Sequence, residues 1–170
     1  LWLYERHHFK KHPIIHIDFS KIAKRDIPLR EAIIGWLIQI SKENEVVISD
    51  KDPGQAFNDL IKALSVKGKV VILIDEYDKP IIDYITQIDK AKENRDILKN
   101  FYSVLKGSDE HIEFLFLTGV SKFSKVSIFS DLNHLNDISL SKQFSTLVGY
   151  TENELHTYFS EKIEEAKKEF

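Results

Sequence analysis

The stretch KVVILIDEYDKPIID, residues 69–83, decides how the rest of the chain is read. Val70 to Ile74 are apolar without alternation, the pattern of a parallel strand covered on both faces. The run then breaks into Asp75, Glu76 and Asp78. A carboxylate inside such a strand would be costly, but at its tip it can meet solvent, a metal or a phosphate. Two readings stay open at this point. In the first, the three acids cap the helix entered at Pro80, because free amides and the helix dipole stabilise negative charge there. In the second, hydrophobes followed by Asp-Glu have the form of a Walker B segment. Asp75 would then help hold Mg²⁺ on nucleotide phosphates, usually through water, and Glu76 would orient and deprotonate the attacking water.

Outward from this run, strands and helices alternate. HIEFLFLTG, residues 111–119, reads as a second strong strand ending in Thr118 and Gly119. A threonine there suits a polar sensor near a γ-phosphate, or simply precedes a glycine turn. HPIIHIDFS, residues 12–20, reads as a strand opened by Pro13. Leu29, Ala32, Ile33, Trp36, Leu37 and Ile40 fall at helical spacing behind Pro28. A second helix follows, with Asp52 as N-cap, Pro53 at its first position and Gly68 at its exit. KPIIDYITQI and ENRDILKNFYSVLKG read as two further helices. Residues 120–144 are irregular, with a helical turn expected over 126–132 and a short strand over 137–140. Thr151 and Glu154 have capping-box spacing at the head of a last helix. The alternation implies one α/β domain, three-layered, around a mostly parallel sheet. Right-handed crossovers gather the strand C-termini on one edge, where functional residues of open α/β sheets collect.

Composition narrows the classes. With 170 residues, 42% of them hydrophobic, the chain can build one real core. A net charge of −3 carries no global footprint for nucleic acid. Cysteine is absent, which excludes disulfides and cysteine-based zinc sites and suits the cytoplasm. No apolar run approaches the roughly 20 residues of a membrane helix. Methionine is absent too, so the expectation is a piece of a longer protein rather than one whose initiator was removed in front of a bulky leucine.

VVILIDEYDKPI, FLFLTGVSKFSKVSIFSDLNHLNDIS and FSTLVGYTENEL together resemble the bacterial AAA-ATPase-like family, from about residue 10 to the end. The resemblance implies a P-loop NTPase-like fold that binds and hydrolyses ATP with Mg²⁺, often joined to a C-terminal PD-(D/E)XK nuclease-like domain. By that resemblance Asp75 and Glu76 form the Walker B pair and Thr118 the sensor. The departure is as informative. A phosphate loop needs G-x-x-x-x-G-K-[ST], and none of the six glycines is followed by Lys-Ser or Lys-Thr. The chain is therefore expected to lack the Walker A loop and its strand, to be incomplete at the N-terminus, and to bind ATP weakly or not at all by itself. That strand is expected between the Walker B and sensor strands. Without it the two must pair directly, pair with another chain or keep open edges, which are an aggregation hazard.

Other constellations are weaker. His7, His8 and His12 lack a further evident ligand for zinc. Lys122, in the SKFSK segment beyond Thr118, could reach phosphate or nucleic acid, or be a solvated loop lysine. Arg6, Arg25, Arg30 and Arg95 are the candidate arginine fingers of a homo-oligomer. Two other functions compete with the ATPase. One is a helicase-like motor, since DEYD matches the DExD form. The other is a regulatory or scaffold module that kept the fold and lost turnover.

Overall fold

The computed structural model describes residues 10–23, 26–49, 51–120 and 135–169. The chain divides into two compact units, Leu1–Asn133 and His134–Phe170. In the first, β1 (Ile14–Asp18) runs into a single helical turn, α1 (Phe19–Ile22), followed by α2 (Leu29–Glu43) and α3 (Pro53–Ser65). Then come β2 (Val70–Asp75), the short α4 (Lys79–Ile82), the long α5 (Ile88–Lys106) and β3 (Ile112–Leu117).

The three strands form one parallel sheet in the order β1-β2-β3. Both crossovers therefore step in the same direction across the sheet. Two right-handed crossovers in one direction put their helices on the same face. Burial follows that rule. On the helix side Ile15, Ile17, Ile72 and Ile74 are at most 1% exposed. On the other side Ile14 is 58% and Phe114 53% exposed. The described residues thus build two layers, and the expected third layer is not among them. A cover on the second face requires a connection that steps back the other way.

The core lies between the sheet and α2, α3 and α5. Ile33 and Leu37 enter it from α2, Phe57, Leu60 and Leu64 from α3, and Leu98, Phe101 and Leu105 from α5, all buried. The Phe57 and Phe101 rings stack with centroids 4.5 Å apart. Local chemistry sets the helix ends. Asp52 accepts from the Gln55 amide at 3.1 Å, and Pro53 occupies the first turn of α3, as its sequence predicts.

β2 and β3 are hydrogen-bonded directly, from Val70↔Ile112 to Ile74↔Leu117 with an irregularity between Val70 and Val71, the first of the three outcomes considered for a chain without the intervening strand. Two expectations are corrected. The helix entered at Pro80 lasts one turn, and turn-type bonds such as Ile85 N to Ile82 O and Gln87 N to Tyr84 O lead into α5. Residues 137–140 form no strand. The expected helical turn over 126–132 lies outside the described residues.

The second unit contains a 3₁₀ turn, Lys142–Phe144, and α6 (Glu152–Glu169). Its capping box is formed: the Glu154 amide donates to Thr151 Oγ1 at 3.2 Å, and the Thr151 amide donates to Glu154 Oε2 at 2.8 Å. The Thr151 amide, and after it the Thr151 hydroxyl donating to the same oxygen at 2.7 Å, favour the ionised carboxyl and hold Glu154 below its ordinary pKa. Among the described residues, no helix is long and apolar enough to cross a membrane.

Candidate functional site

The C-terminal edge of the sheet brings three polar residues into one row. Asp18 at the tip of β1 is the register partner of Asp75 at the tip of β2. The Thr118 amide donates to Ile74 O at 2.9 Å, which continues the ladder one residue past β3. Strand alternation puts Asp18, Asp75 and Thr118 on the face that also carries Ile14, Val71 and Phe114. Among the described residues of the first unit, that is the face the helices leave open.

Asp75 is tied across the strands: the Thr118 hydroxyl donates to its Oδ1. The same oxygen accepts from the Glu76 amide at 3.1 Å. The capping reading of the acids does not describe this geometry, because Asp75 is turned to β3. Asp78 holds the N-cap position of α4 but makes no side-chain capping bond to it. It is instead fully buried.

Glu76 follows with φ at +54°, in the left-handed region that residues with a side chain rarely enter. The turn is fixed on both sides. The Tyr77 amide donates to Thr118 O and the Lys79 amide to Glu76 O, each at 3.0 Å. Glu76 is half-buried.

Asp18 escapes a reading from the sequence alone, although the apolar run ending in IDFS carries the same signal as the run ending in IDEY. Its Oδ1 accepts from the Ser20 amide at 2.9 Å, and Lys21 Nζ lies 2.9 Å from Oδ2. The Ser20 hydroxyl bond is the chief cause that holds this carboxyl down at about 2, against a smaller opposing effect of burial.

The donor set suits one kind of metal. No group of three or more His, Asp or Glu side chains converges among the described residues, so no all-protein cage exists there. One carboxylate beside one hydroxyl fits a hard cation that keeps its waters and takes its other oxygens from phosphates. Asp75 would hold Mg²⁺ in that manner, through water, with the Thr118 hydroxyl fixing its carboxylate.

The remaining candidates lie elsewhere. Lys122, His7, His8, Arg6 and Arg25 fall outside the described residues. His12 Nδ1 sits 2.8 Å from Lys69 O, at the opposite end of the sheet. Arg30 pairs with Asp52 at 3.5 Å and Arg95 with Asp96 at 2.8 Å. A polar groove of about 310 Å³, lined by Asp52, Asn58, Asn100 and Ser103, includes none of the strand-tip residues.

Among known families, the one described as Predicted AAA-ATPase matches residues 2–129. A protein of Azotobacter chroococcum mcd 1, described as "Uncharacterized protein in vnfD 5'region", is 41% identical over 157 residues. The match covers 91% of this chain and 30% of the relative, so the chain spans less than a third of that relative's length. No solved structure matches.

Proposed function

The chain belongs to the predicted AAA-ATPase family, and from that premise we propose that its first unit carries the metal-holding and water-activating half of a Mg-ATP hydrolysis site. Asp75 holds Mg²⁺ through water. Thr118 fixes the Asp75 carboxylate and faces the γ-phosphate. Glu76 takes the proton from a water that attacks the γ-phosphorus, while the bond from phosphorus to the ADP oxygen breaks. One observation carries this reading: the Thr118 hydroxyl and the Asp75 carboxylate are bonded at adjacent strand tips.

A phosphate cradle must come from elsewhere, because this chain has no G-x-x-x-x-G-K-[ST] loop. The outer edge of β3 is the natural place for it. β3 pairs only with β2 among the described residues. A parallel strand added there would end beside Thr118. Its connection back to β1 would cross the open face, and the sheet would gain the reversal of strand order at which α/β proteins bind ligands. In this proposal Lys122, just past Thr118, reaches phosphate. A nuclease-like domain lies elsewhere in the full gene product, the setting is cytoplasmic, and self-association is open to sedimentation.

The test is Mg²⁺-dependent ATP hydrolysis by the full gene product. Asp75→Asn is expected to abolish turnover or raise the Mg²⁺ requirement at least tenfold, roughly what one lost charge-assisted contact costs. Turnover with an unchanged Mg²⁺ requirement contradicts the assignment. Absence of turnover in the parent favours the scaffold, and stimulation by nucleic acid favours the motor.

A further inference from the structure

We propose that Tyr102 and Gly119 are positioning residues that set Glu76 by clamping Tyr77 between α5 and the tip of β3. The inference rests on the ATPase reading for its consequence, but the clamp itself is geometric. A left-handed conformation at Glu76 persists only where its surroundings impose it. On its N-terminal side, Asp75 is bound to Thr118. On its C-terminal side, the Lys79 amide closes back onto Glu76 O at 3.0 Å, and the long-range bonds converge on Tyr77. The Tyr77 amide donates to Thr118 O at 3.0 Å. The Tyr102 hydroxyl, carried on a side chain with 0% exposure, donates to Tyr77 O at 3.3 Å. Both backbone polar groups of Tyr77 are thus held, one from β3 and one from α5.

Gly119 closes the clamp. A Cβ placed there would lie 2.6 Å from Tyr77 Cε1 and 2.7 Å from Asp78 Oδ1. Asp78 is fully buried and has little room to yield, so any side chain at 119 must displace the Tyr77 ring. Beyond the turn, Asn94 Nδ2 donates to Pro80 O at 2.7 Å, a second anchor from α5. The residues that fix the turn thus sit on α5 and just past β3, outside the DEYD motif.

A purely space-filling role for Tyr102 and Gly119 makes a different prediction, namely uniform loss of stability. Peptide-resolved amide exchange on the full gene product separates the two. Tyr102→Phe keeps the ring and removes the hydroxyl. It is expected to speed exchange over residues 76–79 about fivefold, the worth of one hydrogen bond, with α3 unchanged. Gly119→Ala is expected to do the same or more. In turnover assays both are expected to lower kcat with the KM for Mg-ATP held. Unchanged exchange over 76–79, or an equal rise in all peptides, overturns the clamp. If exchange rises locally while Glu76→Gln turns over at the parent rate, the clamp stands and the ATPase reading falls. If Glu76→Gln is dead and exchange is unmoved, the reverse holds.

Discussion

At the residue scale, the Thr118 hydroxyl decides what Asp75 can do. Thr118→Val preserves shape and strand propensity while removing the bond to Oδ1. Turnover of the full gene product is expected to fall about tenfold, the scale of one hydrogen bond to a charged group, and Thr118→Ser to restore it. Asp18 makes a prediction about pH. Its folded value of about 2 lies below the ordinary 3.8, chiefly through the Ser20 hydroxyl. A depressed carboxyl stabilises the fold above its unfolded value, and that stabilisation is lost as pH falls through the folded one. Asp18→Asn should therefore lower the urea midpoint at pH 7, with the gap narrowing steadily as pH falls from about 4 through about 2. A gap as wide at pH 2 as at pH 7 would assign the effect to packing.

At the element scale, apolar period and end-capping chemistry were legible because both are local. The run 70–74 as a parallel strand, the stripe of α2 and the Asp52 and Thr151 caps all read correctly from neighbours in sequence, whereas the cover expected on both faces of that strand is found on one among the described residues. Three features needed partners distant in sequence. Residues 137–140 have strand-like composition but form no ladder, and a strand without one is not a strand. Asp18 stands beside Asp75 only because β1 pairs with β2 in that register. Glu76 adopts its positive φ because Thr118 and Tyr102 hold the following residue. Two stability predictions belong here. Phe57→Ala empties the stack between α3 and α5 and should cost about 3–5 kcal/mol in chemical denaturation. Thr151→Ala removes the α6 cap and should cost about 1 kcal/mol of that helix, read as faster amide exchange in its first turn.

At the scale of the whole molecule, topology explains why, among the described residues of the first unit, apolar side chains lie on both sheet faces and helices cover only one. Two crossovers in one direction can build a single helical layer. Phe114 and Ile14 remain exposed on the other face, Phe114 on a β3 whose outer edge is unpaired among the described residues. Such an edge promotes association. The 170-residue chain by itself is expected to self-associate in sedimentation, and Phe114→Glu to shift it toward monomer. Three strand tips converge within a three-stranded sheet, because parallel pairing alone puts Asp18, Asp75 and Thr118 on one edge.

The central claim is that Glu76, presented at that edge beside the Asp75–Thr118 pair, activates water against a nucleotide. Its most direct test is the rate of Mg-ATP hydrolysis by Glu76→Gln in the full gene product, measured alongside ATP affinity. The account predicts turnover at least a hundredfold below the parent, the lower range for a lost general base, with ATP still bound. Hydrolysis at the parent rate would contradict it.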